Sequence, residues 1–494
     1  MEKKEKSSSY SHILKYMGVF GGVQGLGILI GLVRNKLIAL ILGPDGVGLI
    51  SLFNSIIKLV SDFTNLGIST SAVRTISEHF DTGDERKISR SIVVIRSWSL
   101  LTAVLGMLVC VVFSQLLDSW TFSWGDHTLH IILLSPTVAL MAVTGGEIAI
   151  LKSTRQLRSL AVVSVYHFAG ALVLSVPVIC YWGEAGIVPS MFITALWQMF
   201  VAIRFSCRRY PFAVSFGKPV LREGGGMIRL GVAFVLAAVV GSASDFAIRS
   251  YLNNTGSLGV VGLYNAGYMM SIVYGGMIFS AMETDYFPRL AAINSVGKVL
   301  NDTVNRQIEA SLLIIAPLLV VFMVGLPVII PLLYSNAFMP VAGMMHAMIL
   351  ALYMRAIKLP LAYMPLARGD SLLYLVLESA YAVVVVALVV LFYDLWGLTG
   401  TGYAMLLTAV LDFVMLSFAM YRKYGFVFSR NVARYALLQV SAGLLSFAVT
   451  FIDTPWLYWL SGVAVVALSF SLSAWVLRSK ANLVEQIRRR FFSH

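Results

Sequence analysis

IEASLLIIAPLLVVFMVGLPVIIPLL, residues 308–333, holds a single charge, Glu309, in 26 residues. As a helix it would extend about 39 Å, beyond the roughly 30 Å hydrocarbon core of a bilayer. Thirteen further runs of about 20 mostly apolar residues surround it: 13–32, 46–67, 97–117, 129–151, 159–181, 185–203, 230–248, 259–282, 341–366, 371–393, 397–420, 435–452 and 456–477. The run 46–67 carries Lys58 and Asp62, the run 341–366 carries Arg355 and Lys358, and the last two runs turn tightly at 453–455. Composition agrees with this reading. Of 494 residues, 58% are hydrophobic and 12% charged, with a mean hydropathy of +0.83. Soluble domains carry about 25% charge, and a soluble globule would leave far more apolar surface than it could bury. Disorder needs the opposite composition. Cys110, Cys180 and Cys207 lie in or beside apolar runs and read as small buried hydrophobes, not as a disulfide frame. The expectation is an all-α polytopic membrane protein of about 14 transmembrane helices.

The net charge of +13 tests the order of the spans. When alternate connections are assigned to opposite sides, 33 of the 37 Lys and Arg fall on one side, the cytoplasmic one by the positive-inside rule. Asp45, Asp118, Asp126, Glu184, Asp394 and Asp453 mark the other side. Both termini are therefore expected in the cytoplasm. The basic start, MEKKEKSSSY, leads into a run too long for a cleaved signal and reads as a retained helix. Charge explained by topology leaves no reason to expect nucleic acid.

Arg34, Lys36, Lys58 and Arg249 escape that pattern. A charge inside the membrane costs at least about 2.5–3.5 kcal/mol and usually faces a bundle interior or water. Arg34, Lys36 and Arg249 have a bland reading, snorkelling to headgroups. Lys58 has another, an i,i+4 pair with Asp62. The functional reading is a cationic cavity for an anionic substrate, since an Arg fork suits diphosphate. Among embedded acids, Asp62 and Asp245 have local basic neighbours. Glu147, in G-G-E-I-A, has none before Lys152 and is the best single candidate for carrying a coupling cation. No metal-ligand spacing, Walker loop or hydrolase elbow stands out, so neither a metal nor a cofactor is expected.

A weak internal repeat links the exceptions. Arg34 precedes G-V-G-L (46–49) as Arg249 precedes V-V-G-L (260–263), at offsets of 215 and 214 residues. Arg74 and Arg289 then close the following spans. Spans 1–6 would match spans 7–12 in parallel, around a pseudo-two-fold axis along the membrane normal. The expected division is an N-lobe over 1–222, a C-lobe over 223–428 and a C-terminal helix pair over 429–494.

Several stretches resemble one family. LVRNKLIALILGPDGVGL (32–49), NLGISTSAVR (65–74), TDYFPRL (284–290), LLYSNAFMPV (332–341) and ARGDSLLYLVLE (367–378) are similar, in order, to segments of the polysaccharide flippases of the multidrug/oligosaccharidyl-lipid/polysaccharide (MOP) exporter superfamily, especially the Wzx-type O-antigen and enterobacterial-common-antigen translocases. The likeness covers roughly residues 10–425. Many relatives have twelve spans where fourteen are marked here. The resemblance implies two six-helix lobes, a bacterial inner-membrane location and alternating access for an undecaprenyl-diphosphate-linked oligosaccharide, with membrane lipid, a proton or sodium ion and polysaccharide assembly proteins as partners. It places Arg34, Lys58 and Arg249 in the cationic cavity, with Arg74 and Arg289 near its inner mouth. Glu147, Asp62 and Asp245 are the candidates for ion coupling. Two rivals stand beside it: a multidrug exporter of the same superfamily, favoured by Asp245 alone, and a membrane-embedded glycosyltransferase or polymerase, for which no outer connection is long enough.

Overall fold

The chain is seen in a computed structural model that describes residues 2–68, 84–276 and 297–481, together with 73, 75–77, 79, 80, 279, 286, 287, 289–291 and 293. Of residues 2–24, 157, 227–231, 233, 234, 274 and 478–481, the backbone alone is described. Every regular element among the described residues is helical. The helical stretch Glu2–Thr64 is broken at Gly43 into α1 (2–42) and α2 (44–64). Then come α3 (Glu85–Val112), the short α4 (Ser114–Thr121), α5 (Thr128–Ser153), α6 (Leu157–Trp182), α7 (Ile187–Ser206), α8 (Lys218–Thr255) and α9 (Leu258–Tyr268), the last running into a π turn at Met269–Tyr274. After α10 (Lys298–Leu333) and α11 (Ala342–Ala367), the stretch Ser371–Tyr424 breaks at Gly397 into α12 (371–396) and α13 (398–424). The chain ends with α14 (Arg430–Val449) and α15 (Pro455–Ala481).

Ten helices among the described residues are long and apolar enough to cross a membrane. Three of them, Gly25–Thr64, Arg158–Ser206 and Ser371–Tyr424, run 40, 49 and 54 residues. At 1.5 Å per residue each is about twice the hydrocarbon thickness or more. Each is interrupted by the same short pattern, G-x-x-G: G-P-D-G (43–46), G-E-A-G (183–186) and G-L-T-G (397–400). The first glycine of each takes φ of 64°, 57° or 59° with strongly negative ψ, a region essentially closed to residues with a Cβ. The second glycine leaves room for the chain to double back. A Cβ on Gly186 would lie 2.7 Å from the Val178 carbonyl oxygen, and one on Gly400 1.9 Å from that of Phe392. Asp370 binds Lys423 and Tyr424, so the two ends of the third stretch meet.

Large apolar side chains lie open along these helices, among them Leu372, Val383, Leu437 and Trp475. So much open apolar surface requires lipid around it. The chain is a multi-pass membrane protein. Cys110 is buried as expected, but Cys180 is exposed on α6 and Cys207 is half-buried. An apolar stretch reads alike whether it faces core or lipid, which is why the sequence misplaced Cys180.

Two compact units are present: Met1–Gly262 with Leu333–Ser335, and Leu263–Leu332 with Asn336–His494. In the first, α3 packs on α5, α5 and α6 pack on α7, and the 2–64 stretch packs on α6 and α8. Its core includes Ile88, Ile92, Ile95 and Ile150, and a second cluster gathers Leu151, Leu160, Val163 and Val201. The helix α8, which the repeat places at the head of the second half, belongs to this unit. In the second unit, α11 packs on the hairpin of α12 and α13. The terminal pair is tied to the same unit. Asn301 and Asn305 of α10 bind the backbone of 427–429, Tyr458 donates to the Val324 carbonyl at 2.7 Å, and Gln439 of α14 bonds Ser469 and Ser473 of α15.

The two glycines that the repeat matches, Gly48 and Gly262, meet in the first unit. A Cβ on Gly48 would lie 2.0 Å from the Leu258 carbonyl oxygen, and one on Gly262 1.9 Å from the Pro44 carbonyl oxygen. Residue 44 maps to 258 and 48 to 262 by the same shift, so the contact is reciprocal, as at a two-fold axis. The turn glycines Gly183 and Gly397 are separated by that shift as well.

Candidate functional site

The polar content of α2 is concentrated on one side. Ser51, Leu52, Phe53, Ser55, Ile56, Ile57 and Val60 are buried, whereas Asn54 and Lys58 are exposed and Ser61, Asp62 and Asn65 are half-buried. Positions 54, 58, 61, 62 and 65 recur at helical spacing, so they form one stripe along the helix. An open ammonium and carboxylate on such a stripe need water, because lipid would cost at least about 2.5–3.5 kcal/mol for the lysine alone.

The edge of the stripe is joined to α8. Arg249, 6% exposed, donates from Nε to the Ser51 hydroxyl at 2.7 Å and forms an ion pair with Asp245, one turn back on its own helix. Nearer the other end, Asp62 lies beside Ser242 of α8 and within Coulomb reach of Lys58. Ser51 with Arg249 and Asp62 beside Ser242 therefore join α2 to α8, and the glycine backbone at 48 meets that of 258–262 in α9. Lys58 remains open beside them. Arg249 is thus enclosed and hydrogen-bonded, not spread toward headgroups.

Arg34 sits elsewhere in the same unit. Its Nε donates to the Ser175 hydroxyl of α6 at 2.8 Å, and the side chain is half-buried. The matched positions of the repeat thus have unlike surroundings. Arg289 is exposed, and Arg74 lies outside the described residues.

Glu147 has a partner that sequence spacing did not reveal. Arg96 of α3, 51 positions away, donates to both carboxylate oxygens at 2.8 and 3.1 Å. The two side chains are each 2% exposed. Arg96 also donates to the Pro211 carbonyl at 2.6 Å and the Ser206 hydroxyl at 3.1 Å. This corrects the reason for reading Glu147 as an ion carrier, which was the lack of a basic neighbour.

A second charged cluster lies in the other unit, and the sequence reading missed it. Lys358 of α11 forms an ion pair with Asp412 of α13 and lies 4.9 Å from the ring centre of Tyr381 on α12. Half-buried Glu378 lies within Coulomb reach of both Lys358 and Asp412. Arg355, one turn from Lys358, donates to the Ile272 carbonyl inside the π turn at 3.4 Å. The charge count treats Arg355 and Lys358 as topological, yet both sit on the middle of a long helix with acidic or carbonyl partners. Their spacing of three, facing acids on two other runs, was the available signal. No group of three or more His, Cys, Asp or Glu that could hold a metal gathers among the described residues.

With this arrangement in view, comparison with known proteins settles the family. The model of the family described as polysaccharide biosynthesis protein matches residues 13–294, more than half of the chain. The chain belongs to the polysaccharide biosynthesis protein family. No curated protein shows a significant match. Solved structures show the fold of this family member. The lipid II flippase MurJ in an inward closed conformation aligns with a TM-score of 0.74 at 12% identity, over 93% of this chain and 99% of that one. An inward-facing multidrug resistance MATE family transporter of the MOP superfamily aligns at 0.64 and 18% identity, over 80% and 95%. The MATE multidrug transporter DinF-BH aligns at 0.60 and 16% identity, over 85% and 96%. At such identities the likeness is one of fold, and these neighbours are transporters and flippases, not enzymes.

Proposed function

We propose that the protein is a flippase that moves an undecaprenyl-diphosphate-linked oligosaccharide, an O-antigen or related repeat unit, across the bacterial inner membrane by alternating access. The observation that carries this reading is the polar stripe of α2, with Lys58 exposed on a membrane-spanning helix of a polysaccharide biosynthesis family member. The name of the MurJ neighbour, a lipid II flippase, supports a lipid-linked substrate. In this reading both termini are cytoplasmic, and lobes over 1–222 and 223–428 carry the helix pair 429–494. Lys58 pairs with the diphosphate as it leaves water, while the lipid tail stays in the bilayer. Arg249 and Arg34, already hydrogen-bonded, hold the wall in shape, and Arg289 and Arg74 attract the head group at the inner mouth. A proton or sodium gradient drives the cycle, and assembly proteins for the polysaccharide receive the product.

The MATE neighbours raise an organic-cation exporter as a second reading. Asp245, its one acidic candidate, is neutralised by Arg249, which favours the anionic substrate. The test is transfer of a defined lipid-linked oligosaccharide in proteoliposomes, with and without a proton or sodium gradient. Lys58→Glu is expected to abolish transfer while the protein stays folded. Undiminished transfer by that variant would overturn the cationic site.

A further inference from the structure

Residues 211–217, PFAVSFG, form a non-helical link between α7 and α8 in which every residue is exposed. Phe212, Val214 and Phe216 alternate along it and stand open. The link and the first turn of α8 are nonetheless held by three consecutive residues of α3. Arg96 donates to the Pro211 carbonyl at 2.6 Å, Ser97 accepts from the Ser215 amide at 2.9 Å, and Trp98 donates to the Val220 carbonyl at 3.3 Å. Arg96 is itself locked by Glu147. The level is that of the membrane surface, because the apolar run of α3 begins at residue 97 and α7, 20 residues long, has just ended.

Beside this ribbon lies a cavity of about 610 Å³ lined by Lys218, Pro219, Arg222, Glu223 and Gly226. Its one acid, Glu223, is already taken in a two-point pair with Arg90. No carboxylate among the described residues pairs with Lys218 or Arg222, so the cavity keeps two open positive charges. Open aromatic side chains next to paired cations, at the end of a transmembrane bundle, match the two halves of a phospholipid at the headgroup level.

We propose that this cavity is a resident site for an anionic phospholipid, its phosphate between Lys218 and Arg222 and its acyl chains against Phe212 and Phe216. A site pinned to α3 by three backbone and side-chain bonds suits a lipid that stays, not a passenger that must move. The proposal does not depend on the transport reading.

The test uses the full-length protein in detergent, with thermal unfolding followed as phosphatidylglycerol, phosphatidylcholine or undecaprenyl diphosphate is added. Phosphatidylglycerol is expected to raise the midpoint and phosphatidylcholine is not. Each cation at a lipid surface contributes about 5-fold in binding, so Lys218→Gln/Arg222→Gln should need about 25-fold more phosphatidylglycerol for the same shift. Phe212→Ser/Phe216→Ser should weaken the response with the charge intact. If the double charge variant does not fold, raising the salt with the unaltered protein takes its place and should erase the phosphatidylglycerol effect. An equal response from the unaltered protein and Lys218→Gln/Arg222→Gln overturns the site. So does a response to undecaprenyl diphosphate without one to phosphatidylglycerol, or a response that salt leaves unchanged.

Discussion

Glu147→Ala should be among the most damaging single changes in the first unit. It removes both carboxylate bonds to Arg96 and leaves a guanidinium, 2% exposed, with the Pro211 carbonyl, the Ser206 hydroxyl, a weak contact to the Cys207 sulfur and the Phe212 ring at 5.3 Å. Stranding one member of a buried pair costs about 3–5 kcal/mol. Replacing both members by apolar residues of similar size is often near neutral. Here Arg96→Met/Glu147→Met still loses the Pro211 bond, a cost of about 1.5–3 kcal/mol for a charged donor. The single variant should therefore be the less stable of the two. In a unit of this size each kcal/mol moves the melting midpoint by about 2–4 °C, which places Glu147→Ala about 6–20 °C below the unaltered protein. Cys110, which is fully buried, provides the signal: a thiol-reactive dye labels it on unfolding, in a background where exposed Cys180 and half-buried Cys207 are both replaced by Ser. A Glu147→Ala midpoint within about 2 °C of the unaltered protein, on the same scale, would refute the argument, and so would a double variant no more stable than the single. Glu147→Gln sharpens the contrast with ion coupling: a fully stable Glu147→Gln whose transport ignored the cation gradient would return Glu147 to the coupling role.

Lys358→Met should likewise strand Asp412, at a cost of about 3–5 kcal/mol, and Lys358→Met/Asp412→Leu should recover most of it in the same melt. Gly48→Ala should lose folded protein, since its Cβ would meet a carbonyl oxygen at 2.0 Å, whereas Gly225→Ala, with nothing within 4 Å, should be neutral or stabilising by up to about 1 kcal/mol; yield and midpoint in detergent distinguish them. The Tyr424 hydroxyl, and then Lys423, hold the Asp370 carboxyl below the usual carboxylate range. Its contribution to stability is present above the unfolded value of about 3.9 and is lost as pH falls through the depressed folded value. The midpoint gap between the unaltered protein and Asp370→Asn should be constant at pH 6–8 and close in strong acid.

Much of this molecule can be read from runs and periods. The apolar runs place the helices, and the stripe at 54, 58, 61, 62 and 65 follows from spacing once α2 is seen as a helix. Pairing across helices cannot be read that way. Arg96 and Glu147 are 51 positions apart, and no local pattern says that α3 and α5 present them to each other. Counting charges by connection also passes over Arg355 and Lys358, because the count assigns a basic residue to one side but does not see that it meets a carbonyl or an acid of another element. The hairpin turns left a trace that went unused. G-x-x-G recurs at 43, 183 and 397, and two of these are separated by the offset of the repeat.

Those glycine turns also determine what the protein offers to its surroundings on the side away from the basic connections. A hairpin closed in four residues, two of them glycine, projects almost nothing past the lipid. Proteases find no extended strand to cut there, and an antibody finds little to grip. Of the described connections on that side, the link at 123–126 is among the longest and is fully exposed. An epitope tag for reporting that side of the membrane belongs at 123–126, and one placed at 43–46 would break the fold it was meant to report.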